Sequence, residues 1–260
     1  MPERDVHIQI DGLRLEAQGC VATLWITRSE RRNALAKRHW DALPDLVRSA
    51  ATRSNIRVLV LRGAGNTFCA GADIAEFKTA RAPGGPAAAY ERSNEAAFRA
   101  VRTCPLPTVA ALEGVVFGGG FGLAAACDLR IAARDARFAV PPGKLGLAYP
   151  TEALSDIVAA VGTSGAKQLI LTGRTFDAAA MERLGLLVEV AEVAEFEERL
   201  QRLVADVATL APLSLRAAKT ALAGDASIAT ELGERTFSSD DYREGLDAFL
   251  EKRPPRFTGR

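Results

Sequence analysis

Apolar and polar residues alternate along the first part of the chain, a pattern typical of strands with one buried face. Residues 6–10 and 13–17 alternate in this way on either side of Asp11 and Gly12. An Asp-Gly pair between two alternating segments is a strong signal for a tight β-hairpin. Residues 21–27 alternate again. The pattern therefore predicts three consecutive strands, the first two joined by a hairpin.

The spacing then changes from two residues to between three and four. Residues 36–51 carry apolar side chains at helical intervals, which predicts an amphipathic helix. The residues on its apolar face are Trp40, Leu43, Leu46 and Val47. A continuous apolar run at 56–61 follows and ends in the glycine-containing segment 62–66, as a buried strand followed by a loop would. A strand after a helix predicts a βα arrangement with parallel pairing.

The middle of the chain repeats this alternation of helix and strand. Prolines and glycines at 83–86 predict a mobile loop, and a helix is expected over 87–102. An apolar strand is expected over 108–116, followed by three glycines at 118–120 and a short helix. Residues 128–133 then read as another buried strand. These units predict an α/β fold.

Helical patterns dominate the second half, where few segments resemble strands. Helices are predicted over residues 163–171, 177–184, 195–210, 214–222 and 227–252. We therefore expect an α/β core over residues 1–200 and a helical C-terminal region over 201–260.

Composition and charge exclude several classes of function. The chain has 33 Lys and Arg against 32 Asp and Glu, a net charge of +1, so no overall field favours nucleic acid or a membrane surface. No segment approaches the ~20 apolar residues of a membrane span, and the first residues resemble neither a secretory signal nor a transit peptide. We expect a cytoplasmic protein with no nucleic acid or membrane as partner.

The sequence contains few residues that could bind a metal ion or act as a catalytic histidine. His7 and His39 are the two histidines, and the four cysteines have no Cys-x-x-Cys spacing. Free thiols in a reducing compartment are the simplest interpretation of those cysteines. We expect no metal site and no bound cofactor.

Two glycine-containing segments, 68–74 and 114–122, each follow a predicted strand and precede a helix. Glycine allows a tight turn and a close approach of another group, and the start of a helix leaves N–H groups unpaired. Two such starts that face one point would form an oxyanion hole from backbone alone. Either segment by itself is more often just a tight strand-to-helix turn.

With both segments and their flanks in place, the chain resembles the enoyl-CoA hydratase/isomerase, or crotonase, superfamily. The matching motifs lie at residues 32–35, 58–63, 68–74, 107–128, 145–146, 171–174, 180–187 and 244–253. The resemblance implies a spiral of ββα repeats with a helical C-terminal region that drives trimerisation. It also implies an acyl-CoA thioester as the substrate, so that coenzyme A belongs to the substrate, and a homotrimer or a dimer of trimers.

The resemblance assigns roles to particular residues. The thioester oxygen would accept hydrogen bonds from the N–H groups of Ala72 and Gly119. The positions that bind coenzyme A in the family are occupied here by Arg31, Ala70, Asp73, Phe249 and Lys252. The last two would reach the CoA of a neighbouring subunit. Asp73 could instead serve only as a helix N-terminal carboxylate, and Lys252 could lie on a solvated helix end.

The chain departs from the hydratase pattern at both acid–base positions. Hydratases of the family use two glutamates, and the corresponding positions here are Gly122 and Pro142. Neither residue has a side chain that can transfer a proton, and such groups typically contribute about 10²–10⁴-fold in rate. We therefore expect decarboxylase- or isomerase-like chemistry in which the enolate hole is retained.

Four residues are candidates to replace the missing groups. Tyr149 matches a tyrosine in a methylmalonyl-CoA decarboxylase-like branch, although that branch has a histidine in place of Ala72. Glu152 lies one turn before Asp156 on the next predicted helix, and Glu113 precedes the second glycine segment. Tyr149 could equally be a packing tyrosine, and acids in such positions are more often surface or helix-capping residues. Cys69 has no base near it in sequence, which argues against a thiol nucleophile. The alternative function is an acyl-CoA-binding protein with little or no catalysis.

Overall fold

The computed structural model describes residues 8–77 and 87–260. The predicted loop at 83–86 and the first two residues of the predicted hairpin lie outside this part of the chain. The strands are Ile8–Ile10 (β1), Leu13–Gln18 (β2), Val21–Ile26 (β3), Val58–Gly63 (β4), Thr108–Leu112 (β5), Val115–Phe117 (β6), Leu129–Ala133 (β7), Arg137–Ala139 (β8), Phe176–Asp177 (β9) and Glu189–Ala191 (β10).

The helices alternate with these strands and then dominate the last part of the chain. The α-helices are Lys37–Ala51 (α1), Ala87–Arg102 (α2), Gly119–Ala126 (α3), Thr151–Thr172 (α4), Ala178–Arg183 (α5), Phe196–Ala208 (α6), Pro212–Leu222 (α7), Ala226–Phe237 (α8) and Asp240–Leu250 (α9). Short 3₁₀ helices occupy Ser29–Arg31, Ile74–Glu76 and Pro142–Leu145.

The larger sheet has seven strands in the order β1-β2-β3-β4-β5-β7-β10. The first three pair antiparallel, and the pairs from β3 to β10 are parallel. The hairpin predicted at Asp11 and Gly12 is present, with Gly12 at a φ of 77°. Strands joined through helices give parallel pairing, as the alternation of elements predicted. The carboxyl ends of β4 and β5 therefore lie side by side.

A second sheet, in the order β6-β8-β9, stands apart from the first. The prediction of one strand over 108–116 is wrong here, because the chain turns at Glu113 and Gly114, where Gly114 has a φ of 53°. β5 ends in the large sheet, and β6 pairs with β8 in the small one. The three short strands β8, β9 and β10 were not predicted. This turn carries the second glycine segment away from the large sheet and toward the first.

The hydrophobic core lies on both faces of the large sheet. The predicted apolar face of α1 is confirmed, since Trp40, Leu43, Leu46 and Val47 are all buried. They belong to the larger core cluster, which also includes residues of α2, α3 and α4. On the opposite face, Val58 and Val60 pack with Phe196 and other side chains of α6. The sheet is covered on both sides, as parallel sheets usually are.

The C-terminal helices begin and end at different residues from those predicted. The helix predicted over 163–171 belongs to α4, which begins at Thr151 and is interrupted by non-helical backbone at Gly162. The single helix predicted over 227–252 is wrong, because Ser239 accepts a hydrogen bond from Tyr242 N and starts a new helix there. Residue 200, where the core was expected to end, lies inside α6.

Large apolar side chains are exposed on these last helices. Leu222 is 89% exposed and Phe249 is 82% exposed. Among the residues described, no helix combines the length and the apolar character that crossing a membrane requires.

Candidate active site

The two glycine segments are joined by backbone hydrogen bonds. Cys69 N donates to Val115 O at 2.9 Å, and Phe117 N donates to Cys69 O at 2.9 Å. This short parallel bridge aligns the turn after β4 with the turn after β6. The segments that the sequence suggested would face one another are therefore adjacent in space.

Glycine is required in both turns for steric reasons. Gly71 has a φ of +95°, and a Cβ atom there would lie 2.8 Å from Phe117 O and 2.9 Å from Gly119 N. A Cβ on Gly120 would lie 2.3 Å from Cys69 O. These distances are shorter than van der Waals contact, so a side chain at either position would push the two turns apart. The glycines let the two backbones approach closely.

The approach brings two unused N–H groups together. Gly119 is the first residue of α3, where an N–H has no partner one turn earlier. A Cβ built on Gly119 would lie 3.8 Å from Ala72 N. In the described residues, neither Ala72 N–H nor Gly119 N–H donates a hydrogen bond within the chain. Two such donors, one of them at the positive end of a helix, can stabilise an oxyanion.

One carbonyl oxygen holds the first turn in place. Leu35 O accepts hydrogen bonds from Asp73 N at 2.9 Å, from Trp40 Nε1 at 3.0 Å and from Tyr90 Oη at 3.3 Å. In the other direction, Leu35 N donates to Gly71 O at 2.8 Å. The turn that carries Ala72 N–H is therefore fixed to α1 and α2.

The two N–H groups lie in the wall of an apolar cavity of about 200 Å³. Its other walls come from the start of α4 and the segment before it, from α2, and from the 3₁₀ helix at Ile74–Glu76. No Asp, Glu, His, Lys or Arg is among the described residues that line it; Tyr149 is its titratable side chain and Asn94 its amide. A cavity of this kind suits an uncharged chain attached to a polar head.

Tyr149 lies directly beside the second glycine segment. Its Oη donates a hydrogen bond to Gly118 O at 2.9 Å. Burial raises the pKa of the Tyr149 phenol well above its ordinary value, although a hydrogen bond from Gly122 opposes that shift. A Cβ on Gly122 would lie 2.7 Å from this Oη and 2.9 Å from the Phe98 ring. Tyr149 and Phe98 together occupy the space that a side chain at position 122 would need.

The acidic candidates lie away from the cavity. Glu152 forms ion pairs with Arg99 and Arg102, and its side chain is 40% exposed. The hydrogen bond from Arg99 is the largest of the effects that lower the pKa of Glu152. Glu113 pairs with Arg62 at 3.0 Å. Neither carboxylate is among the residues that line the cavity.

Cys69 is buried in the bridge between the turns. Burial raises the pKa of its thiol to about 12, so the thiolate is not formed near neutral pH. A buried, protonated thiol is a poor nucleophile, which agrees with the expectation that Cys69 is not one. Across the described residues, no group of three or more His, Cys, Asp and Glu side chains is arranged to hold a metal ion.

The residues expected to bind coenzyme A fall into two sets. Ala70 lines the cavity, and its N–H donates to Arg32 O at 2.9 Å, which places the exposed Arg31 turn next to it. Asp73 pairs with Arg28 at 3.3 Å and also accepts from Ala75 N, so its helix-capping role is present.

Phe249 and Lys252, the second set, lie at the end of α9. Both are exposed, and the structure does not bring either of them into the lining of the cavity. In one copy of the chain they are therefore separate from the two N–H groups.

Asn94 was not predicted as a site residue from the sequence. It is 5% exposed and lines the cavity from α2. A signal for it exists, because Asn94 stands four residues after Tyr90 and four before Phe98, on the buried face of the helix. A polar residue in an apolar stripe is a candidate for function.

Comparison with known proteins agrees with this fold. A crystal structure of an enoyl-CoA hydratase/carnithine racemase from Magnetospirillum magneticum superposes with a TM-score of 0.93 at 33% identity, covering 97% of each chain. The structure therefore has the α/β crotonase fold with C-terminal helices, as expected.

Sequence comparison gives the family. The family model for enoyl-CoA hydratase/isomerase matches residues 16–260. The enoyl-CoA isomerase/hydratase fer4 of Mycosarcoma maydis is 36% identical, over 78% of this chain and 77% of its own. The 2,3-dehydroadipyl-CoA hydratase of Escherichia coli is 31% identical, over 95% of this chain and 99% of its own. The chain belongs to the enoyl-CoA hydratase/isomerase family.

Proposed function

We propose that this protein binds an acyl-CoA thioester and stabilises its enolate with the N–H groups of Ala72 and Gly119. The observation that carries the proposal is the pair of unused N–H groups in the wall of one apolar cavity. Two preorganised donors in a site that excludes water stabilise developing negative charge on the thioester oxygen. Coenzyme A is part of the substrate, and the proposed chemistry requires no separate cofactor.

The reaction we favour is loss of carbon dioxide from a malonyl-type thioester. Gly122 and Pro142 stand at the positions of the two hydratase glutamates, and no carboxylate is among the described residues of the cavity lining. In decarboxylation, the electrons of the bond to the leaving carboxylate form the enolate, so no base has to remove an α-proton. The enolate then takes a proton from water at the α-carbon. The two N–H groups of Ala72 and Gly119 are therefore sufficient for the step in which the negative charge of the enolate forms.

Tyr149 acts in this proposal as a positioning residue. A phenol has one proton to donate, and that proton is already shared with Gly118 O. A phenol is neutral near neutral pH at its ordinary pKa of about 10, and burial raises the pKa of Tyr149 further. Tyr149 therefore holds the turn just before Gly119 N–H and closes the cavity on that side.

We further propose that the site is completed by assembly. Arg31, Ala70 and Asp73 would contact coenzyme A within one copy. Phe249 and Lys252 would reach the CoA of a neighbouring copy in a homotrimer or a dimer of trimers. The exposed apolar side chains of α7 to α9 support such an assembly, because burial between copies would remove them from water.

Decarboxylation of methylmalonyl-CoA, assayed beside hydration of crotonyl-CoA, tests the reaction. We expect measurable decarboxylation and weak hydration, because hydration needs the acid–base pair that contributes about 10²–10⁴-fold. Robust crotonyl-CoA hydration that persists in the Glu152→Gln and Glu113→Gln variants would contradict the proposal.

The second candidate is an acyl-CoA-binding protein with little or no turnover. The uncharged cavity lining favours it, since binding needs no proton transfer. Tight binding of several acyl-CoA esters without any product by mass spectrometry would support this candidate over the first.

A further inference from the structure

The peptide group between Leu35 and Ala36 forms hydrogen bonds through both its oxygen and its nitrogen. The carbonyl oxygen accepts three hydrogen bonds, and the one from Asp73 N fixes the turn that carries Ala72 N–H. The N–H donates to Nδ1 of His39 at 2.9 Å, in the first turn of α1. The imidazole therefore holds the same peptide group whose carbonyl holds the Ala72 turn.

This hydrogen bond requires one protonation state of His39. Nδ1 accepts from Ala36 N–H, so it carries no hydrogen of its own, and a neutral ring then has its hydrogen on Nε2. An imidazolium has a hydrogen on both nitrogens, and its Nδ1–H would face another donor. Protonation of the ring therefore breaks the bond and leaves the buried Ala36 N–H without a partner, which costs free energy.

The surroundings of His39 favour the neutral ring. The side chain is fully buried, and Nε2 has no hydrogen-bond partner among residues 8–77 and 87–260. A Cβ on Gly12 would lie 2.6 Å from Nε2 and 2.7 Å from Arg28 Cδ, so the hairpin and the Arg28 side chain cover this nitrogen. Burial, followed by the charges of Arg28 and Arg38, lowers the pKa of His39, and Asp11 opposes that shift by less.

Two further ionisable groups lie at the start of α1 and have partners of their own. Glu76, on the 3₁₀ helix beside it, accepts from Lys37 N at 2.8 Å. Tyr90, on α2, donates to Leu35 O at 3.3 Å. Neither accepts from the ring of His39, whose Nε2 has no acceptor in the described part of the chain. An imidazolium here would therefore be a buried charge without a hydrogen-bonded partner, which is strongly disfavoured.

We propose that His39 is a positioning residue for the oxyanion hole, and that protonation of its imidazole releases the Leu35–Ala36 peptide and with it the turn that carries Ala72 N–H. The reactant is one proton from water, and it leaves again when the pH rises. The hole is assembled near neutral pH and loosened in acid. This inference rests on the proposed function, because it takes the role of the Ala72 N–H from there.

The first test measures kcat and KM for methylmalonyl-CoA decarboxylation on the full chain between about pH 5 and 8. The native kcat should fall at least about 10-fold toward the acid end, since a small misplacement of a catalytic group costs on the order of 10²-fold. The midpoint should lie below pH ~6.5, the ordinary pKa of histidine, because the pKa of His39 is lowered. A native kcat that does not fall in acid overturns the inference.

Two substitutions of His39 separate its acceptor from its titration. His39→Leu removes the acceptor and keeps most of the volume, so kcat should be about 10-fold lower at every pH with little change in KM. His39→Asn restores an acceptor that does not titrate, because its Oδ1 is bonded to Cγ as Nδ1 is. It should recover most of the rate lost in His39→Leu and remove the fall in acid. If His39→Leu does not fold, His39→Asn alone decides.

The matched control is His7→Asn, the same change at the second histidine of the chain. It should keep the fall of kcat in acid that the native protein shows. A fall in acid that persists in His39→Asn, or one that disappears in His7→Asn, overturns the inference.

Nuclear magnetic resonance of the unliganded, ¹⁵N-labelled protein gives a readout that needs no turnover. The amide signals of Ala36 and Ala72 should shift with a common midpoint below pH ~6.5 in the native protein and should not do so in His39→Asn. An Ala72 signal that does not follow the titration of His39 overturns the inference, whatever the protein turns over. An Ala72 signal that follows it in a protein without decarboxylase activity overturns the proposed reaction and supports the positioning role of His39.

Discussion

The apolar cavity lies beside a groove, called here the charged groove, whose lining combines apolar side chains with several charged ones. The cavity is lined by backbone and apolar side chains up to Tyr149 and Pro150. The groove begins two residues later at Glu152, and it is lined by Arg102, Asp128, Asp156 and Lys219 among other residues. In the cavity two backbone N–H groups are unused, whereas in the groove the charged side chains are paired with one another.

The difference shows that the face of a helix, and not distance along the chain, decides which acids reach the site. α4 starts at the edge of the cavity, but Glu152 and Asp156 turn toward α2 and pair with Arg102. The Arg102–Asp156 pair at 2.7 Å is largely buried on the carboxylate side, with Asp156 7% exposed. Leaving Arg102 without such a partner would cost free energy. These acids therefore hold two helices together.

Removal of one N–H from the cavity should have the largest effect. Gly119→Pro deletes the donor at the first position of α3, where proline fits the helix backbone. Its Cβ would lie 3.0 Å from the Trp40 ring, so Gly119→Ala, which adds the same Cβ and keeps the N–H, gives the effect of crowding alone. We expect the rate of methylmalonyl-CoA decarboxylation to fall by about 10²–10³-fold, as it does when one oxyanion donor is removed. Steady-state kinetics measures the loss.

The matched control is Ala226→Pro, which deletes an N–H at the first position of α8, on the exposed C-terminal surface. Circular dichroism should show both variants folded. Equal rates for Gly119→Pro and Ala226→Pro would refute a catalytic role for the Gly119 donor.

Tyr149→Phe should have an intermediate effect. The variant loses the hydrogen bond to Gly118 O, so the turn before Gly119 is held less firmly. We expect kcat to fall about 10-fold with little change in KM, and the free energy of unfolding to fall by about 1 kcal/mol. A change confined to KM would argue that Tyr149 contacts the substrate instead.

The pH dependence of stability reports on the same phenol. A folded-state pKa raised above its ordinary value of about 10 contributes stability that is fully present below pH ~10 and is lost as the pH rises further. The native protein should therefore lose more stability between about pH 10 and 12 than Tyr149→Phe.

A double-mutant cycle that combines Tyr149→Phe with Gly122→Ala should show a coupling free energy of about 1 kcal/mol, because the phenol oxygen lies 2.7 Å from the added Cβ position.

Changes in the charged groove should have the smallest effect on turnover. Glu152→Gln removes the ion pairs with Arg99 and Arg102 from a side chain that is 40% exposed, so at most about 1 kcal/mol of stability is lost. We expect the decarboxylation rate to stay within about threefold of the native value. A loss of about 100-fold without unfolding would show that Glu152 reaches the substrate.

The sequence predicted those features that depend on local pattern. Helix α1 was predicted because Trp40, Leu43 and Leu46 stand at helical intervals. They do so because one face of the helix is buried. The two glycine turns were predicted because only glycine allows such close backbone approach, and Gly71 has the positive φ that this requires.

The features that were missed depend on long-range contacts. Glu113 and Gly114 interrupt the run 108–116, but they do not reveal that β5 and β6 belong to different sheets, because that depends on which strands each of them pairs with. Strands as short as β9 and β10 carry no periodicity of their own. The direction of Glu152 is set by Arg99 and Arg102, which lie some fifty residues away in sequence.

The carbonyl of Leu35 has a consequence for motion. One oxygen atom accepts from a backbone amide, an indole and a phenol, and it thereby joins the Ala72 turn to two helices. The amide of Asp73 can exchange its hydrogen with solvent only when that junction opens. Hydrogen exchange at Asp73 should therefore be as slow as exchange in the core strands, although the residue stands at the rim of a cavity. One face of the entrance would then be as rigid as the interior, so that substrate entry depends on the opposite wall.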